Sequence, residues 1–292
     1  MSRINIFEHR DRRYLGALRL VDSATGRPCP GPFTLVTDKP MAFMQNRSGL
    51  YVICSAKEFE KYIEEFDPAP SEPDDESIDF SLTISDPAGR YLTRMHTVSL
   101  PRPLSADDSD ADADSKLIFE PLEVTMYASP SASFENGWCS VRATVKDPND
   151  QLVYGALVTV TGKVGELKDK ELGRGLTNEQ GEALIVMPKV PAFTFEAPAA
   201  PDGDADADAS VVTELSPVAS KVSAVITAVG IPKRKLPVNP DELKPGSKDP
   251  QSPNDPNITE PGTEKILSSE PNAVLLQAGK SESVHLKLKD HS

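Results

Sequence analysis

Tyr154-Gly-Ala-Leu-Val-Thr-Val-Thr161 and Thr177-Asn-Glu-Gln-Gly-Glu-Ala183, both within residues 138–188, carry the strongest structural signal in this chain. Apolar residues alternate through Val141, Ala143 and Val145, and again from Leu157 or Val158 onward. That period of two belongs to strands with one covered face. Asp147-Pro-Asn-Asp150 is a turn. Asn178-Glu-Gln-Gly181 is a second, with Gly where the chain needs a positive φ before the apolar run from Ala183 to Met187. The pattern predicts a meander of short antiparallel strands, with a loop between Thr161 and Thr177.

Outward from this stretch, the composition favours an all-β chain. Aromatic residues make up 6 %, with a single Trp, whereas 27 Pro and 17 Gly signal many turns. The 292 residues are enough for two domains with cores of their own. No long apolar run predicts a membrane helix, and the first residues lack the pattern of a secretory signal, which predicts folding in the cytoplasm. Cys29, Cys54 and Cys139 are widely spaced and form no zinc-ligand or redox pattern, so they read as reduced thiols in apolar surroundings.

The formal net charge of −14 is unevenly spread. Residues 67–79, 107–114 and 202–208 hold six, five and four acids with no Lys or Arg. Without these fifteen, thirty acids face thirty-one basic residues, so the folded body is near neutral and the acidity lies in loops. Nucleic acid is disfavoured as a partner, because short dense groups such as Arg10, Arg12 and Arg13 do not amount to a clustered basic face.

Further strands are predicted over residues 14–21, 33–37, 50–53, 80–85, 91–100 and 117–127. Asp22 to Gly26, Asn46 to Gly49 and Asp86 to Gly89 are their turns. Phe59, Tyr62, Ile63 and Phe66 stand at helical spacing, the pattern of a short amphipathic helix, with an extended edge segment as the competing reading. Residues 128–133 read as a linker. Strands follow at 193–197, 221–229, 273–276 and 284–288. Residues 231–264 form a Pro-rich insertion, eight Pro falling between 231 and 262, expected to be disordered or draped over the surface. The predicted fold class is two tandem antiparallel β-sandwiches of the immunoglobulin or transthyretin-like kind, over residues 1–128 and 129–292. The interval from Asp22 to Gly31 resembles that from Asp147 to Gly155, as if the halves were diverged copies of one plan.

Candidate chemistry is sparse. The acidic ladders at 108–114 and 202–208 do not fit an EF-hand, since the sixth and twelfth positions hold Ala113 and Phe119 in one, Ala207 and Thr213 in the other. His9, His96, His285 and His291 are far apart and have no nucleophile or metal partner at a recognisable spacing. No nucleophile elbow, phosphate-cradling Gly loop or zinc-protease helix occurs. The expectation is therefore no catalytic residues, no metal and no cofactor. The segment from Ile4 to Phe7, followed by the charges of residues 8–13, reads either as an arm that adds to a partner's sheet edge or as the first strand.

Residues 138–188, with the closing run from Ala278 to Leu288, resemble the carboxypeptidase-regulatory-like, transthyretin-like β-sandwich. That resemblance implies a fold used for accessory, adhesive and structural modules. A ureide hydrolase, 5-hydroxyisourate hydrolase, shares it but ends in Tyr-Arg-Gly-Ser, whereas this chain ends in Lys289-Asp-His-Ser292. Residues 12–22, 46–52 and 86–92 also resemble bacterial proteins associated with phage-tail-like contractile injection particles. These resemblances imply a non-enzymatic structural or interaction component, an accessory or baseplate-region protein whose partners are baseplate or spike proteins engaged through the arm. The alternative is a stand-alone sandwich that binds a carbohydrate or a peptide, and a transthyretin-like hydrolase is a more distant one.

Overall fold

The computed structural model describes residues 14–59, 78–100, 120–164, 167–188, 190, 193–196, 216–219, 221–232, 237–243 and 266–289. Among them regular structure is strand throughout, apart from two single 3-10 turns, Lys57–Phe59 and Pro240–Glu242. The first half contributes β1 (Gly16–Asp22), β2 (Thr34–Thr37), β3 (Met41–Gln45), β4 (Tyr51–Ala56), β5 (Ile78–Ser85), β6 (Arg94–Leu100) and β7 (Leu122–Met126). They form two sheets, β3-β4-β1-β7 and β2-β5-β6. Alternation places Phe80, Leu82 and Ile84 on one face of β5, where they pack with Leu18, Leu20, Ile53 and Val124 from the facing sheet.

The second half contributes β8 (Cys139–Lys146), β9 (Leu157–Val164), β10 (Leu167–Leu176), β11 (Glu182–Met187), a separate hairpin of β12 (Phe193–Glu196) and β13 (Ser216–Ala219), then β14 (Lys221–Gly230), β15 (Leu267–Ser269), β16 (Asn272–Gln277) and β17 (Ser281–Lys289). The strand order is β10-β9-β14-β15-β17-β8-β11, with β16 also on β14. Among the described strands, only β15 joins the two layers by strand pairing, with the ends of both β14 and β17. At the opposite corner the chain closes by packing. A Cβ on Gly173 or Gly175 of β10 would come within 2.9 Å or 2.8 Å of Ile185 on β11, so only glycines let β10 cover that sheet edge. Val141, Val145, Val158, Val160, Ile185 and Ile226 fill the space between the layers.

The pairing plan repeats. β1 lies between antiparallel β4 and parallel β7, and β8 lies between antiparallel β11 and parallel β17. β5 joins β2 to β6 as β14 joins β9 to β16. The halves differ at one strand, since β3 pairs with β4 while β10 pairs with β9. The two parallel pairs go beyond the expected antiparallel sheets, because the first and last strands of each half meet side by side.

Four loops share one hydrogen-bonding device. Asn46 Oδ1 accepts from the amides of Ser48 and Leu50, both at 2.9 Å. The Asp86 carboxylate does the same for Ala88 and Arg90, Asp147 for Asn149 and Gln151, and Asn178 for Gln180 and Glu182. In each, the residue three positions on has a positive φ: Gly49, Gly89, Asp150 and Gly181. A short side-chain oxygen thus holds a tight turn that only Gly, Asn or Asp closes at little cost.

The structure corrects three expectations. β8 and β9 do not form a meander: the chain crosses to the other layer at Gly155, whose φ is 69°. Buried Thr177 pins that crossover, donating its hydroxyl to the Val153 carbonyl at 2.7 Å and accepting from the Ala156 amide at 2.8 Å. The loop expected between Thr161 and Thr177 is largely β10, whose charges and two glycines suit a sheet edge and hide the alternation. Within the 231–264 insertion, residues 237–243 are neither disordered nor draped on the surface. Val238, Asn239 and Pro240 are buried. Of the expected helix at 59–66, only Phe59 is described. It ends a 3-10 turn and packs 6.2 Å from the Phe80 ring. The arm at 4–13, the acidic stretches apart from Asp79 on β5, and the rest of that insertion beyond residue 243 and before Leu267's neighbour Ile266 lie outside the described residues.

Candidate functional site

A cleft of about 540 Å³ opens where the two halves meet. Four segments wall it. Asp22, Thr25 and Arg27 come from the turn after β1, and Arg90 and Tyr91 from the connection between β5 and β6. Phe134, Glu135 and Trp138 come from the segment between β7 and β8, and Leu184 and Val186 of β11 form the floor. β11 is therefore covered on both faces, by the core on one side and by the cleft walls on the other. Phe134 remains 36 % exposed and Trp138 half-buried.

The Arg90 guanidinium is held in place from two sides. It makes a two-pronged ion pair with buried Asp86, Nε to Oδ2 at 2.9 Å and Nη2 to Oδ1 at 3.1 Å. It also lies against Gly31, where a Cβ would come within 2.8 Å of Nη2. Burial raises the Asp86 carboxyl, but the Arg90 fork and the two loop amides outweigh it and leave the group below its ordinary value. Tyr91 sits next to Arg90, its ring 6.0 Å from the guanidinium carbon and 5.8 Å from the Phe33 ring. The Tyr91 hydroxyl lies against the Cys29 thiol and the Asp22 carboxylate. Burial drives the Tyr91 phenol upward and pushes the Cys29 thiol up to about 12. Both groups stay protonated at neutral pH, and of the two Tyr91 lines the cleft.

A second polar cluster ties the 237–243 segment to β6. Arg94 is fully buried. Its guanidinium donates to the Met95 carbonyl at 3.0 Å, the Thr125 carbonyl at 2.7 Å, Asn239 Oδ1 at 3.1 Å and the Asp241 carboxylate. His96 Nδ1 lies 3.3 Å from the same carboxylate. Thr97 donates to Glu242 at 2.7 Å, and the Met95 amide donates to the Val238 carbonyl at 2.8 Å. Val238 packs beneath with Tyr127 and Leu176, so residues from both halves share this small core. Burial alone would raise Asp241, but His96 and Arg94 pull it down to about 2.

The chain matches no protein-family model, no curated protein and no solved structure. Among the residues singled out in the sequence, His96 lies on β6 in the Arg94 cluster and His285 on β17, some distance apart in the fold, while His9 and His291 are outside the described residues. The three cysteines are all thiols: Cys139 in the core, Cys54 on β4, and Cys29 beside Tyr91. No group of three metal-ligating side chains and no helix long and apolar enough to cross a membrane occurs among the described residues. Sequence reading missed Arg90, Tyr91, Phe134 and Trp138 as a group. The available signal was a lone Trp next to the linker and an Arg-Tyr pair closing an Asp-Pro-Ala-Gly turn.

Proposed function

We propose that this chain is a non-enzymatic binding protein that holds its ligand in the cleft between its halves. The observation that carries the reading is that the single Trp, Tyr91, Phe134 and a fixed guanidinium line one cleft, in a volume within the roughly 300–1,000 Å³ typical of small-molecule sites. The Tyr91 phenol in its wall is held protonated by burial, which suits recognition by hydrogen bonding. The resemblance of residues 138–188 to accessory β-sandwich modules supports the same reading. Of the three motifs that resemble those of contractile-particle proteins, one ends at Asp22 and another contains Arg90 and Tyr91, so a particle component of that kind would present this cleft to its partner.

Trp138 is the sole Trp and lines the cleft, so its emission reports occupancy without labelling. Titration with a panel of neutral sugars, amino-acid amides and small carboxylates should change that emission for at least one class. The change should weaken in Arg90→Met and Phe134→Ala, and the ligand should be recovered unaltered. Emission unmoved by every class, or recovery of a chemically changed ligand, would overturn the proposal.

A further inference from the structure

We infer that the ligand of this cleft is a neutral saccharide of one or two residues; the inference rests on the cleft being a binding site. Charge argues first. Arg27, Arg90, Asp22 and Glu135 all line the cleft, and buried Asp86 is paired with Arg90. Asp22 Oδ1 already accepts from the Ala24 and Thr25 amides and the Thr25 hydroxyl. With two guanidinium groups against three carboxylates, the cleft offers donors and acceptors of both kinds but no cationic field to hold an anion. Such a mixture matches ring hydroxyls, each of which both donates and accepts.

Surface chemistry argues second. Trp138 and Phe134 bring flat apolar rings to the lining, which complement the C–H face of a pyranose while its hydroxyls reach the charged side chains. Shape argues third. Spread evenly, 540 Å³ is about 8 Å on a side, whereas six residues of extended peptide span about 20 Å. The strand that floors the cleft has no edge for a peptide to join, since β8 takes one edge and the glycines of β10 cover the other.

Saturation-transfer NMR on the whole chain tests this with glucose, galactose, mannose, maltose, cellobiose and lactose, alongside glucuronate and a capped hexaproline peptide. At least one neutral sugar should bind with Kd on the order of 1 mM, as expected for a ligand of this size. Trp138→Ala should weaken it at least ~10-fold, and Trp138→Phe, which keeps a flat face, by no more than ~3-fold. Thermal melts of both variants establish that they fold. Sugar binding that survives Trp138→Ala in a folded protein overturns the inference. Binding of glucuronate or hexaproline without any neutral sugar overturns the saccharide while leaving the cleft a binding site. No binding by any probe overturns both.

Discussion

Replacing Arg94 by Met keeps most of the side-chain volume and removes the guanidinium that fastens residues 237–243 to β6. Four acceptors lose their donor: the Met95 and Thr125 carbonyls, Asn239 Oδ1 and the Asp241 carboxylate. Asp241 is 47 % exposed on its side chain and can rehydrate, so the full cost of about 3–5 kcal/mol for breaking a buried ion pair does not apply. The other three acceptors are more enclosed, and each lost bond costs about 1 kcal/mol. The expected loss is about 3 kcal/mol, read by urea unfolding followed through Trp138 emission. Hydrogen exchange gives a local measure, because the Met95 amide donates to the Val238 carbonyl and is protected only while the segment stays docked. Asp241→Asn should cost only about 1 kcal/mol, since the Asp241 carboxylate is itself half exposed and screened by water. A loss under about 1 kcal/mol for Arg94→Met, or unchanged Met95 exchange, would refute the view that Arg94 holds the segment in place.

Asp147→Ala should cost about 2 kcal/mol in the same urea assay, as two loop amides lose their acceptor in a buried site, whereas Asp147→Asn should stay within about 1 kcal/mol because Asn46 and Asn178 already do this work elsewhere. Asp241 titrates below its ordinary value of 3.8, at about 2, so the stability it adds is complete above pH 3.8 and is lost as pH falls towards 2. After solvent screening this amounts to about 1 kcal/mol, and an Asp241→Asn variant should show a correspondingly flatter acid limb between pH 5 and pH 2. Gly155→Ala should cost more than Gly26→Ala in thermal melts. Both need positive φ, worth about 1 kcal/mol, but a Cβ at 155 would also meet Val238 at 2.8 Å while one at 26 meets nothing.

The turns were readable because their chemistry is local. Asn46, Asp86, Asp147 and Asn178 each bind amides two and four residues on, so five consecutive residues contain the whole device. The layer a strand joins is not local. β8 and β9 look like neighbours in sequence, yet Gly155 and Thr177, 22 positions apart, send them to different layers. β3 and β10 went unread because edge strands need no alternating apolar face: β3 is mostly exposed, and β10 uses glycines where a side chain would clash. The docked segment at 237–243 has only Val238 and Leu243 to show in a Pro-rich run, and its anchor Arg94 is 145 positions away from Asn239. The cleft drew on four separate segments, so no single stretch could announce it.

The side-by-side placement of first and last strands bears on how the chain responds to force. β1 and β7 run parallel over five residue pairs from Leu18 to Asp22, and β17 and β8 over seven from Ser140 to Lys146. Tension applied at the two ends of either half pulls these strands past each other along their length. The hydrogen bonds between them then bear load together in shear instead of parting one at a time, as they would in a hairpin pulled open from its ends. Each half is accordingly built to stretch little and to yield abruptly, with the longer β8–β17 ladder the stronger of the two.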